Sequence, residues 1–139
     1  MSGRVHHVDL SVIRLAEAEP LYDLVLSHIG YRRGKRYPRG GGEWDMPGSG
    51  ESIGISPTTG PNKDRAHDRY SSGLHHLAWA ATSREDVDAL HARLVAFGAR
   101  ILDPPAEYPQ YNSGRGYYAV FFADPDGLKL EYVFTPAAD

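Results

Sequence analysis

Residues Tyr117–Phe134 read YYAVFFADPDGLKLEYVF. Two runs of aromatic and aliphatic residues flank Asp124-Pro125-Asp126-Gly127, where proline presets the first central position of a turn and glycine takes the positive-φ exit. The stretch predicts a β-hairpin. In its second arm Leu128, Leu130, Tyr132 and Phe134 alternate with Lys129, Glu131 and Val133, which sends the two sets to opposite faces of a sheet. Glu131 therefore points away from the larger apolar face. A carboxylate in the middle of a strand of bulky residues loses solvation unless it is paired, hydrogen-bonded or bound to a metal, so Glu131 calls for a partner.

Working outward, the chain repeats itself. Leu74-His75-His76-Leu77-Ala78-Trp79 matches Val5-His6-His7-Val8-Asp9-Leu10, and a helical segment closing on glycine follows each at nearly equal spacing, at Gly30 and Gly98. Such self-similarity is the first thing to settle in a fold. In the first half, strand alternation spans 4–12, and a helix is expected from Leu15 to Ile29 with Pro20 in its first turn and Gly30 as C-cap. Residues 31–50 are hard to read beyond a short strand at Glu43–Met46, and a further strand is expected over Ser52–Ser56. A polar loop at 58–72 separates the halves. In the second half Ser83 is the expected N-cap of a helix whose stripe is Val87, Leu90, Leu94 and Val95, ending at Phe97-Gly98. Extended structure restarts at Ala99–Leu102, and 103–113 reads as a Pro- and Tyr-rich loop. Each half is a βαβββ module, module 1 at about 4–57 and module 2 at about 73–135.

Parity separates the double histidines. His7 shares a strand face with Asp9 and Ser11, and His76 with Ala78 and Ala80, whereas His6 and His75 lie with Val8, Leu10, Leu77 and Trp79. Small or polar neighbours suit a cavity. His7 and His76 are thus the candidates to share a cavity with Glu131, and His6 and His75 the candidates for packing on helices or capping strand ends. Two imidazoles and one carboxylate suffice for a divalent metal, with Fe, Mn, Zn and Ni all compatible with the donor set. Taken singly each of these residues has an ordinary structural explanation, such as a Glu131–Lys129 ion pair; together, at equivalent positions of a repeat, they favour the metal.

These residues carry a resemblance. HHVDLSV, GLHHLAWAA and YYAVFFADPDGLKLEYV resemble the vicinal oxygen chelate superfamily, which includes glyoxalase I, extradiol dioxygenases, methylmalonyl-CoA epimerase, fosfomycin-resistance thiol transferases and bleomycin-binding proteins. The resemblance implies an α+β fold of two paired βαβββ modules forming a curved mixed sheet around a cleft, with His7, His76 and Glu131 at the metal-ligand positions. It implies an enzyme acting on a small, vicinally oxygenated substrate as a lyase, isomerase or ring-cleaving dioxygenase. The alternatives are a metal-free protein that binds an antibiotic or other ligand, and a fosfomycin-type thiol transferase. Glyoxalase I and the epimerase usually have a fourth ligand in the last strand of module 1. Aligning Gly50–Gly54 with Gly127–Glu131 puts Gly54 at that position, while Glu51 has the wrong parity to substitute.

Glu131 and Tyr117 are the candidate catalytic residues, and Trp44, Tyr118 and Arg115 the candidate substrate-binding residues. Tyr108, Tyr111 and Trp79 are further aromatics, and His67 a further acid/base type. A homodimer is expected, because superfamily members often pair modules across subunits. The net charge of -3 leaves no basic footprint for nucleic acid, and no apolar run approaches a membrane span. The chain has 41% hydrophobic and 24% charged residues, ordinary for a soluble domain, and no cysteine for a disulfide, thiolate site or thiol nucleophile. The N-terminus lacks the pattern of a signal peptide, and a cytoplasmic location is expected.

Overall fold

Alternation of Val8, Leu10 and Val12 with His7, Asp9 and Ser11 builds strand β1 (His7–Val12), with Val12 buried and His7, Asp9 and Ser11 exposed. In the computed structural model, which describes residues 2–138, the chain divides between Ala66 and His67 into two units. In the first, β1 is followed by helix α1 (Leu15–Ile29) and strands β2 (Arg32–Arg36), β3 (Gly42–Asp45) and β4 (Ser52–Pro57). The sheet order is β1-β4-β3-β2, with β1 parallel to β4 and the other neighbours antiparallel. Helix α1 buries Ala18, Leu21, Tyr22, Val25 and Leu26. Full burial of each larger aliphatic side chain contributes about 1.5–3 kcal/mol. Pro20 is the sixth helical residue rather than one of the first turn, so it removes one N–H from the helix interior, and the packed face holds the helix through it. Gly30 closes α1 in the left-handed region, its N–H donating to the carbonyls of Leu26 and Ser27.

The second unit repeats the plan: β5 (His76–Ala80), α2 (Arg84–Phe97), β6 (Arg100–Glu107), β7 (Tyr118–Ala123) and β8 (Lys129–Phe134), in sheet order β5-β8-β7-β6. Again the first and last strands pair in parallel and the rest antiparallel. Ser83 caps α2 by accepting a hydrogen bond from the Asp86 N–H. Val87, Leu90 and Leu94 are buried, but Val95 is 56% exposed, since the buried stripe of α2 is narrower than its apolar sequence. The hairpin forms as expected, and the Asp124 carboxylate accepts from the backbone N–H of both Asp126 and Leu128 to hold the turn.

Two strands depart from expectation. The basic run at 32–36 forms β2, an edge strand whose charge discourages pairing with another chain. The segment 103–107, expected in a loop, belongs to β6 despite Pro104 and Pro105. They fall where the β6–β7 register shifts between Asp103 and Ala106, on an edge strand, where the missing N–H groups interrupt little of the ladder. Both units are βαβββ, and the architecture is α+β.

Candidate functional site

In the second unit the strand register brings the site together. β5 and β8 pair His76 with Lys129 and Ala78 with Glu131, and β8 and β7 pair Glu131 with Phe121. Opposed residues share a face, so His76, Ala78, Glu131 and Phe121 stand on the face turned away from α2. Glu131 is 1% exposed, and it has the partners its position demands. Its Oε1 accepts a hydrogen bond from the Tyr117 hydroxyl, and its Oε2 lies 3.2 Å from His76 Nε2. Lys129, the other conceivable partner, instead lays its ammonium over the Phe121 ring at 4.4 Å. Burial first, then the bond to Glu131, raises the Tyr117 hydroxyl well above its ordinary range. Tyr117 therefore keeps its proton at neutral pH and is a donor to the carboxylate.

Aromatic rings wall this pair. Tyr108 meets Phe121 edge-on at 5.4 Å and stacks on Tyr111 at 5.8 Å, while Tyr117 stands edge-on to Tyr111 at 5.1 Å. Rings at these separations and tilts pack favourably through their quadrupoles. Through Phe121, the register partner of Glu131, they line one side of the carboxylate with aromatic surface.

In the first unit the equivalent face carries His7, Asp9, Ser11, Ser52, Gly54, Glu43 and Asp45. The register pairs His7 with Ser52, as His76 pairs with Lys129, so Gly54 is the counterpart of Glu131. Glu51, the nearby carboxylate, is engaged with Arg4 and Ser49. Tyr37 donates to Glu43 Oε2 at 3.0 Å, and its hydroxyl is pushed up to about 12, chiefly by burial and then by Glu43.

The tandem histidines adopt one arrangement twice. His6 Nδ1 lies 2.9 Å from His7 Nδ1, and His75 Nδ1 lies 2.8 Å from His76 Nδ1. This occupies the Nδ1 of His7 and of His76 and leaves Nε2 to face a carboxylate in each unit. His6 and His75 are exposed and pair with their neighbours rather than packing on helices. Alternation alone placed them on an apolar face, but both sit just outside the regular strands.

The other residues expected at a site lie elsewhere. Trp44 is fully buried; its indole N–H donates to Asp23 of α1 at 2.9 Å and the Arg33 guanidinium covers its ring at 4.1 Å. It is core beneath the helix. The Tyr118 hydroxyl donates to Asp88 of α2 at 2.6 Å, a bond that pushes it up to about 12, and so Tyr118 faces the helix side. Arg115 is exposed in the loop before β7 and tied back to Asn112. His67 Nε2 bonds the Leu74 carbonyl at 2.9 Å. Among the described residues no three His, Asp or Glu side chains converge on one point; the donors come as pairs. Asp9 and Tyr37 were not singled out by sequence, although the parity that selected His7 also selects Asp9; Tyr108 and Tyr111 were named only as further aromatics, and their stacking on each other needs the folded loop.

A family model described as the Glyoxalase/Bleomycin resistance protein/Dioxygenase superfamily matches residues 4–132. The chain belongs to this superfamily. It is 30% identical over 129 residues to the uncharacterized protein YqjT of Bacillus subtilis, covering 93% of this chain and 97% of that one. A crystal structure of a candidate glyoxalase from Bacillus halodurans is 31% identical, with a TM-score of 0.79 over 95% of this chain and 96% of that one. A glyoxylase/bleomycin resistance protein/dioxygenase domain from Frankia is 26% identical, with a TM-score of 0.73 over 100% and 96%. The fosfomycin resistance protein FosX of Listeria monocytogenes, 20% identical with a TM-score of 0.68 over 98% and 96%, shares the fold. Among the described residues no helix is long and apolar enough to cross a membrane.

Proposed function

We propose that this superfamily member is a divalent-metal-dependent enzyme acting on a small, vicinally oxygenated substrate, with His76, Glu131 and His7 as protein ligands. The observation that carries the reading is the 3.2 Å separation of His76 Nε2 and Glu131 Oε2. Two donors bound at about 2.1 Å to one cation stand about 3.0 Å apart at a right angle and about 3.4 Å apart at a tetrahedral one. The imidazole–carboxylate pair suits Fe, Mn, Zn or Ni. A cation held there supplies Lewis acidity toward a carbonyl, enol or hydroxyl oxygen.

The chain's own residues do the rest. The Tyr117 hydroxyl donates to one carboxylate oxygen and fixes the direction of the other, which makes Tyr117 a positioning residue for Glu131. His75 holds the His76 ring through Nδ1. Tyr108, Tyr111 and Phe121 exclude water from one side of Glu131 and offer flat apolar surface to the carbon skeleton of a substrate. The test is elemental analysis with metal titration of wild type, His76→Ala and Glu131→Gln. Near-stoichiometric metal in the wild type that falls in both variants is the expected result; a wild type as empty as the variants after incubation with Fe(II), Mn(II), Zn(II) and Ni(II) overturns it. The aromatic wall favours one second reading, a ligand-binding protein without metal. Ligand affinity unchanged by EDTA would establish that instead.

A further inference from the structure

The two units solve the same position differently. In the second, the residue opposed to Ala78 is Glu131, whose carboxylate faces His76; in the first, the residue opposed to Asp9 is Gly54. Asp9 is thus the counterpart of Ala78 and Gly54 the counterpart of Glu131: the carboxylate has moved from the last strand of the unit to the first. The space over Gly54 is filled by Asp9 and Tyr37. A Cβ added at Gly54 would collide with Asp9 Oδ1 and stand 2.7 Å from the Tyr37 hydroxyl, so no larger residue at 54 could reach the face without displacing them. His7 and Asp9, two residues apart on β1, point to the same side, and His7 Nε2 lies 3.7 Å from Asp9 Oδ2. Donors at about 2.1 Å from one cation span about 3.0 Å at a right angle to about 4.2 Å when opposed; the pair falls within that range. Glu43, the neighbouring carboxylate, is engaged by Tyr37.

Resting on the metal reading above, we propose that the first unit supplies two ligands rather than one, His7 Nε2 and the Asp9 carboxylate, with Asp9 taking the place left empty at Gly54. Asp9 is exposed, so its replacement leaves the core intact, and unfolding curves verify that.

Co(II) titration followed by visible absorption tests the assignment on wild type, Asp9→Asn, Glu43→Gln and Glu131→Gln. We expect Asp9→Asn to weaken Co(II) binding by about tenfold or more, the least that loss of even an outer partner of a ligand produces. Its Co(II) spectrum should also change shape, while Glu43→Gln, which removes the same charge from the same face, should bind like wild type. Wild-type affinity and spectrum in Asp9→Asn, with binding lost in Glu131→Gln, overturn the assignment and leave the metal reading standing. Equal weakening in Asp9→Asn and Glu43→Gln with an unchanged spectrum reduces Asp9 to a field effect and overturns it too. A wild type that binds no Co(II) overturns both readings.

Discussion

Replacing Tyr117 with Phe removes one hydroxyl and almost nothing else. The ring keeps its edge contacts with Tyr108 at 6.2 Å and Tyr111 at 5.1 Å, but Glu131, 1% exposed, loses one of its two partners. A hydrogen bond to a charged group contributes about 1.5–3 kcal/mol, and a buried acceptor left short of a donor cannot recover that from water. Metal-free Tyr117→Phe should therefore be about 1.5–3 kcal/mol less stable in urea at pH 7. A double-mutant cycle with Glu131→Gln should return most of that as coupling. The pH dependence gives an independent sign. The Tyr117 pKa is raised in the folded state, so its stabilising contribution is complete below about pH 10 and is lost as pH rises toward the folded value, because the unfolded tyrosine ionises first. The gap between wild type and variant should hold steady up to about pH 9, then narrow by at most about 1.4 kcal/mol per pH unit. A variant within about 0.5 kcal/mol of wild type at pH 7 and a cycle with no coupling would refute the reasoning.

Two further outcomes follow from residues outside the site. Trp44→Ala empties a fully buried position and removes the indole N–H that donates to the exposed Asp23 carboxylate; denaturant unfolding should show a loss of about 3–5 kcal/mol, with metal affinity in the folded fraction unchanged. Ser83→Ala deletes the cap of α2 and should cost about 1 kcal/mol, read as a lower thermal midpoint; an unchanged midpoint would remove Ser83 from the account of that helix.

Much of the fold was legible because its signals are local. The Asp-Pro-Asp-Gly turn, the glycine caps at Gly30 and Gly98 and the alternation in β1 and β8 each need only a few neighbouring residues, and the repeat multiplied their weight. Glu131 was legible for the same reason: parity alone removed it from the apolar face and made a partner necessary. What escaped depends on pairing across the sheet. Arg32–Arg36 has no apolar alternation, and only its place at an edge makes a strand of it. Pro104 and Pro105 speak against a strand until the register shift at that edge accommodates them. Trp44 looked like a pocket residue by type, whereas its register partner Ile53 assigns it to the side beneath α1. Asp9 could be seen to share a face with His7, but that it fills the space over Gly54 needs the register of β1 with β4.

The proline pair in β6 has a consequence beyond its own strand. With two consecutive residues unable to donate, and the ladder already broken there, the β6 side of the second sheet is a poor template for another strand. Growth of that sheet is left to its other border, β5, which is the strand that carries His76. A strand added at that border would run beside β5, next to His76, whose imidazole faces Glu131.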